Sequence, residues 1–375
     1  MPSNVFDVVV IGAGIAGSAA AAHLSADRRV ALIEAEDAPG YHTTGRSAAI
    51  WILNYGPPDV RVLTGLSREA FEHPPEGFTD VPLAQHRGIV FLAPPDQKAQ
   101  LEQMLNEGLG LREASLAEIR ERVPALKPDY AVAAAVEEDA FDMDVAALHQ
   151  GYLKQLRANG GTLTVRSRAG AIKRERAVWH IETSSGAWFE APVLVNAAGA
   201  WGDVVAEQAG VEKLGLVPKR RTGVIIDPTP FDCHAWPMVN DVVHTWYIRP
   251  EARTKLMVSP ADETDMHPHD VQPDELDIAI AIDRMQQALD IEVRRVEHTW
   301  AGLRTFAPDR NFVLGFDPAH EGFFWCVGQG GYGIQTAPAA GKLVADLIAG
   351  RDPGAAAAVI PGMSPARFAK EQVGA

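Results

Sequence analysis

The segment Val8-Val9-Val10-Ile11-Gly12-Ala13-Gly14-Ile15-Ala16-Gly17 constrains this chain more than any other. An apolar run ends in glycines at G-x-G-x-x-G spacing, and residues 18–24 continue as an alanine-rich helix. The chain returns as Val30-Ala31-Leu32-Ile33-Glu34, a second strand closed by an acid. Strand, glycine turn, helix, strand and acid in this order make a complete βαβ dinucleotide unit. Gly12 permits the tight turn, Gly14 lets backbone approach a pyrophosphate, and Gly17 lets helix and strand pack closely. The helix N-terminus offers free N–H groups to phosphates, and Glu34 is placed for a ribose hydroxyl. An ordinary βαβ unit would explain the glycines and leave Glu34 unexplained.

A chain of 375 residues exceeds the roughly 250–300 residues of a single core, so two domains are expected. Net charge is −15, and the densest basic cluster is Lys219-Arg220-Arg221. That excludes a phosphate-backbone surface, and no nucleic-acid partner is expected. No stretch has the roughly 18 consecutive apolar residues that a membrane span needs, so no transmembrane segment is expected. The N-terminus enters the first strand almost at once and shows no signal-peptide pattern. Cys233 and Cys326 are the only cysteines, too few for a disulfide framework or a Cys-based zinc site. A cytoplasmic location follows as the expectation.

Further along, residues 39–49 form a polar, glycine-containing loop that runs into small residues. Residues 97–123 read as helical and charged, a cover for the outside of a second domain. Asp144 reads as an N-cap, with an amphipathic helix over 145–158 ended by Gly160-Gly161. Short strands are expected at 162–165, 171–174, 177–183 and 187–190. The apolar strand that follows ends in Asn196-Ala197-Ala198-Gly199-Ala200-Trp201, where small residues again let backbone approach a flat ligand, and a helix is expected over about 203–209. Strands are read at 223–226, 244–248 and 255–258, and a helix opens at Pro273 and runs to about 289. The acids of 262–270, with His267 and His269, lack ligand spacing and read as a solvated loop, as does Glu137-Glu138-Asp139; no metal is expected. Finally, an apolar strand over 323–327 leads into Gly330, Gly331 and Gly333 and a second exposed helix N-terminus near Ile334. One glycine suffices for a turn. Three within four residues point to something flat pressed on the backbone.

Taken in order along nearly the whole chain, several segments resemble the D-amino-acid oxidase superfamily of FAD enzymes, which includes glycine and sarcosine oxidases. They are residues 39–49, Leu148-His149-Gln150-Gly151-Tyr152-Leu153, 193–201, Pro218-Lys219-Arg220-Arg221, His298-Thr299-Trp300-Ala301-Gly302-Leu303-Arg304 and 329–336. Within the superfamily the chain looks most like bacterial D-amino-acid dehydrogenases of the D-arginine dehydrogenase type. The resemblance implies an α/β fold: a Rossmann-like FAD-binding domain (1–56, 146–215 and 300–375) and an α+β substrate domain on a mostly antiparallel sheet (57–145 and 216–299). It implies that FAD is held by Ala13, Ile15 and Ala16, by Glu34 and Ala35, and by the loop His42, Thr43, Thr44, Gly45, Arg46, Ser47, Ala48 and Ala49. Ala169, then Ala198, Gly199 and Trp201, then Gly330, Gly331, Tyr332, Gly333, Ile334 and Gln335 complete the cofactor set.

By the same resemblance Arg221, Tyr247 and Arg304 would hold a substrate carboxylate, with Arg220 a rival to Arg221. Tyr55 would lie on a mobile loop closing the pocket, Met238 would pack beside the reacting carbon, and Gly331 would sit with them at the catalytic centre. The implied reaction is oxidative deamination of a D-amino acid. A hydride passes from Cα to flavin N5, and the imino acid hydrolyses to a 2-oxo acid and ammonia. The helix near Ile334 would aim its positive end at the reduced flavin. Two departures matter. The segment Gln85-His86-Arg87-Gly88-Ile89 lacks the glutamate of relatives selective for cationic side chains, and Ile50 and Ile52 replace more polar residues. A neutral, mainly apolar substrate side chain is therefore expected. Gly302 stands where sarcosine oxidases carry the flavin-linking cysteine, so the FAD is expected to be non-covalent. A dehydrogenase is favoured over an oxidase, and the electron acceptor, quinone-like or O2, is left open. The alternatives are a secondary-amine oxidase of the sarcosine or glycine type and a non-catalytic FAD-binding subunit.

Overall fold

Val8–Ile11 and Val30–Ile33 are buried along their whole length, which requires a packed layer on each face of their sheet. The computed structural model describes residues 4–368 and supplies both layers. The six-stranded sheet runs in the order Val313–Phe316, Phe323–Val327, Val193–Asn196, Val8–Ile11, Val30–Ile33, Thr162–Thr164. All its pairings are parallel except the one between Val313–Phe316 and Phe323–Val327. On one face Val8, Val10, Leu32 and Val195 pack under helices Ile15–Leu24, Val145–Ala158 and Gly333–Ala349. On the other, Val9, Ile11, Ala31 and Ile33 meet Ile172, Trp179, Ile181 and Phe189 of a three-stranded antiparallel sheet.

The glycine turn is fixed by space. Gly12 has φ +101°, and a Cβ there would lie 2.5 Å from the Ala197 carbonyl oxygen. A Cβ on Gly17 would collide with the Gly12 carbonyl. Helix and strand approach this closely only because both side chains are absent.

The second sheet has eight strands, ordered Val296–Phe306, Val217–Ile226, Lys255–Ser259, Tyr247–Glu251, Met238–Asp241, Ile89–Ala93, Ala133–Glu137, Leu111–Ala114. Only Met238–Asp241 and Ile89–Ala93 pair in parallel. Alternation sorts its side chains. Val90, Leu92, Val224, Ile226, Val239 and Ile248 pack with Ala281 and Met285 of helix Glu275–Ala288. Phe91, Met238, Tyr247 and Ile225 point the other way, into a cluster with Ile50 and Ile52.

Several elements differ from expectation. The charged stretch 97–123 is not one helical cover. Gly108 and Gly110 break it, and the strand Leu111–Ala114 separates helices Lys98–Glu107 and Leu116–Arg122. The strand expected at 244–248 starts at Tyr247, because Asp241 accepts hydrogen bonds from Thr245 N and Thr245 Oγ1 and ties the preceding residues into a turn. Residue 300 lies inside the strand Val296–Phe306 of the eight-stranded sheet.

Candidate cofactor and substrate site

A long groove runs along the C-terminal ends of the parallel strands and under the eight-stranded sheet. At one end Glu34 Oε2 accepts from Ala13 N at 2.8 Å and Oε1 from Glu36 N at 2.9 Å, which locks the carboxylate beside the glycine turn. His42 lies against Trp201 with ring centroids 4.6 Å apart. In the middle, Gly12, Gly14, Ile15 and Ala16 face the loop His42, Thr43, Thr44, Arg46 and Ser47. Ile15 N donates to Thr44 Oγ1 at 3.0 Å. At the far end Gly330, Gly331, Gly333 and Ile334 line the groove with Gly302 and Arg304, and Gly331 lies directly against the Arg304 guanidinium. Helix Gly333–Ala349 begins there with no side-chain cap at Tyr332, so its first N–H groups are open to the groove.

Ala35, Ala169, Ala198, Gly199 and Trp201 also line the groove. Other expected cofactor residues lie behind the wall. Ala13 contributes its N–H to Glu34, Gly17 serves helix packing, and Gly45 N donates to Gly40 O at 2.8 Å. The Ala48 and Ala49 carbonyls accept from Arg249. Tyr332 packs on Phe306, Phe312 and Tyr55. Gln335 turns its amide away from the groove, donating to Ile52 O and to Thr64 Oγ1 at 3.3 and 2.8 Å.

Two loops enclose the groove from the side of the large sheet. Thr43 Oγ1 donates to Leu303 O at 2.6 Å. Arg46 donates to Ala301 O at 2.9 Å and to Val271 O at 3.2 Å, and it pairs with Asp270 at 2.5 Å. The 262–270 segment is therefore not a free solvated loop. Asp262 accepts from Thr222 N and Oγ1, and Glu263 pairs with Arg221 and Arg310.

Strand register separates the two candidate arginines. Arg221 pairs with Gly302, and Arg220 with Leu303. Arg221 thus shares a sheet face with Ile225 and reaches the groove, while Arg220 turns toward helix Glu275–Ala288 and pairs with Asp277 at 2.7 Å. Arg221 is anchored by the Asp262 carbonyl at 2.9 Å. Arg304 differs. Its Nη1 donates to Tyr55 Oη at 3.0 Å, and among the described residues no carboxylate lies in ion-pair range of it. Burial works against its charge, but the oxygens of Tyr55, Tyr247 and Tyr332 and the Glu263 carboxylate outweigh that and keep it firmly protonated. Tyr247 feels the converse field. Burial pushes its phenol up, and the Arg304 and Arg221 cations pull it below its ordinary value.

Met238 sits beside Tyr247 in the Ile50–Ile52 cluster. Two polar groups there escaped the sequence reading. His244 has φ +57°, lies 5.7 Å from the Tyr55 ring, and has Nδ1 2.6 Å from Asn240 Nδ2. Burial holds its pKa below the usual value, with Asp241 opposing and Arg221 and Arg304 adding to the effect. Glu137, expected in a solvated loop, is instead 1% exposed. A histidine near a turn and an acid in an acidic run carry no signal that separates these positions from surface ones.

An acid and a glycine turn at one end, small residues along the walls, and an uncapped helix N-terminus beside a half-buried cation at the other suit an extended dinucleotide. The FAD dependent oxidoreductase family, DAO, matches residues 7–347. The chain belongs to this family. FAD is accordingly the cofactor of this DAO-family chain. Among curated relatives, a glycine oxidase of Bacillus subtilis (strain 168) is 23% identical over 368 residues, covering 92% of this chain and 94% of the relative. A glycine oxidase of Geobacillus kaustophilus superimposes with TM-score 0.83 at 20% identity, over 99% of this chain and 100% of the other. An L-proline dehydrogenase of P. horikoshii gives TM-score 0.80 at 21% identity, over 92% and 94%. These relatives are named for glycine and L-proline, so they carry the fold and do not single out the D-arginine dehydrogenase branch. Among the described residues, no helix of this DAO-family chain is long and apolar enough to cross a membrane.

Proposed function

We propose that this FAD-dependent oxidoreductase oxidises the Cα–N bond of an amino acid and favours D-amino acids with neutral, mainly apolar side chains. The observation that carries the reading is Arg304, a half-buried guanidinium in the groove with no carboxylate in ion-pair range among the described residues. An unpaired buried charge is costly, and a substrate carboxylate would supply the missing partner through two parallel hydrogen bonds. Tyr55 Oη and Tyr247 flank that position, and Arg221 adds positive field. Holding the carboxylate there fixes which Cα substituent faces the flavin.

FAD, when bound, would supply the two-electron acceptor for a hydride from Cα. The chain's own residues do the rest. The open N–H groups at the start of helix Gly333–Ala349 would stabilise the negative charge that reduction brings. Ile50, Ile52, Met238 and Phe91 form a buried apolar cluster with Tyr247, which suits an uncharged side chain. The product leaves as an imino acid, and water converts it to a 2-oxo acid and ammonia.

A second reading, oxidation of glycine or a small secondary amine, draws support from the glycine oxidases that align over nearly the whole chain. Both readings are tested by mixing the oxidised holoenzyme anaerobically with glycine, sarcosine, L-proline and paired D- and L-amino acids while following flavin bleaching. Fastest reduction by a neutral D-amino acid is the expected result. Fastest reduction by glycine or sarcosine selects the second reading, and no reduction by any of them sinks both.

A further inference from the structure

Tyr55 hangs from a short segment that leaves strand Ile50–Trp51 and enters helix Pro58–Glu72. The resemblance makes this segment a mobile cover. The structure instead shows it pinned by a buried acid. Glu137, at the end of strand Ala133–Glu137, lies under the segment. Its Oε1 accepts from Leu53 N at 2.6 Å, and its Oε2 accepts from Asn54 Nδ2 at 2.7 Å and Asn54 N at 3.4 Å. Asn54 in turn exchanges a reciprocal pair with the Leu109 backbone: Nδ2 donates to Leu109 O and Oδ1 accepts from Leu109 N, both at 2.8 Å. Every polar atom of the Asn54 side chain is engaged, and both oxygens of Glu137 are used.

We propose that Glu137 is a positioning residue for substrate binding, which holds the Tyr55 segment against Arg304 through Leu53 and Asn54. This rests on the amine-oxidation reading above. The geometry makes the role specific to a carboxylate. Three donors converge on two oxygens, and only an ionised acid offers acceptors at both atoms. Burial raises the pKa of this acid, while the hydrogen bonds from Asn54 and Leu53 act to keep it ionised. Tyr55 is the next residue. Its ring is wedged between Tyr332 and His244, at 4.7 and 5.7 Å, and its hydroxyl meets Arg304. Gln335 holds the other side of the segment at Ile52, so release at Glu137 would free residues 53–56 without loosening the strand before them. Glu137 touches neither the groove nor Arg304 and acts only through this segment.

The test uses the FAD-loaded protein and the variants Glu137→Gln and Asn54→Ala. Glutamine keeps the shape but turns one acceptor into a donor facing donors. Asn54→Ala leaves Glu137 in place and removes the hook, so it stands in if the first variant folds poorly. Two readouts are taken: amide hydrogen exchange at residues 53–56, and anaerobic flavin reduction against amino-acid concentration. We expect exchange to rise about tenfold or more, and half-saturation to rise about tenfold while the limiting reduction rate stays within about twofold. FAD content and the flavin spectrum should match wild type. Unchanged exchange overturns the pinning itself. Faster exchange with unchanged half-saturation, or a fall in limiting rate alone, overturns its role in substrate binding. A wild type that no amino acid reduces sinks the amine-oxidation reading, and the exchange result still decides the pinning.

Discussion

Arg304 Nη1 donates to Tyr55 Oη at 3.0 Å, and this bond joins strand Val296–Phe306 to the segment that Glu137 holds from another strand of the same sheet. It leaves the other donors of the guanidinium facing the cavity. Arg304→Met keeps much of the stem and removes the fork. A charge-assisted hydrogen bond contributes roughly 1.5–3 kcal/mol and a bidentate pair more, so kcat/KM should fall at least about tenfold and up to a thousandfold. Arg304→Lys should recover only part, because a point charge cannot reproduce the planar fork. FAD content should stay near normal in both. Unchanged apparent affinity and reduction rate in Arg304→Met would remove this residue from the site.

The apolar cluster around Tyr247 predicts selectivity. Ile50, Ile52, Phe91 and Met238 offer no carboxylate to a cationic side chain. Desolvating such a cation without a partner costs on the order of several kcal/mol. D-Arginine and D-lysine should therefore be turned over with kcat/KM at least about a hundredfold below the best neutral D-amino acid. Steady-state kinetics on a side-chain series decides this, and D-arginine emerging as the best substrate would refute it.

Gly302 lines the groove opposite Arg46 and has no side chain with which to form a bond to flavin. Acid precipitation should release essentially all the FAD to the supernatant, read by its absorbance. Colour retained in the washed pellet would contradict non-covalent binding.

Three histidines, His149 buried and His23 and His244 half-buried, set the direction of pH dependence. Burial lowers His23 to about 4, with Lys342 adding to the effect, and burial also lowers His149 and His244. In the unfolded chain each titrates near 6.5. Below that pH the unfolded state therefore binds more protons than the fold, and stability drops as pH falls from about 6.5 toward 4. Thermal melts of the holoenzyme should show Tm declining through this window, and His23→Gln should flatten the slope. A slope unaffected by His23→Gln would show that this ring does not contribute.

The parts legible in the sequence were those with a local signature. Gly12, Gly14 and Gly17 announce a turn that no side chain fits, and the apolar strands around them leave one packing solution. The glycines at 330, 331 and 333 announce a second close approach in the same way. Arg304 stood out because it follows the apolar run Trp300-Ala301-Gly302-Leu303. What stayed hidden depends on pairing across the chain. Nothing local distinguishes Glu137 from Glu138, yet one is buried beneath residues 53–54 and the other pairs with Arg112 and Arg122 on the outside. Nor does Gln335 reveal that its partners are Ile52 and Thr64, some 270–280 residues away. The strand Leu111–Ala114 was masked by its charged flanks, because an edge strand needs little apolar pattern of its own.

The pairing of Arg221 with Gly302 has a consequence for how this groove can change over evolutionary time. Side chains on Val217–Ile226 alternate, so the difference between a cation in the groove and a cation bonded to Asp277 is a matter of parity. A one-residue slip of this strand against Val296–Phe306 would exchange Arg221 for Arg220 and invert every neighbour with it. Lineages of this fold can therefore vary the turns around the strand freely, while a slip within it would take a positive charge from beneath the roof of the site.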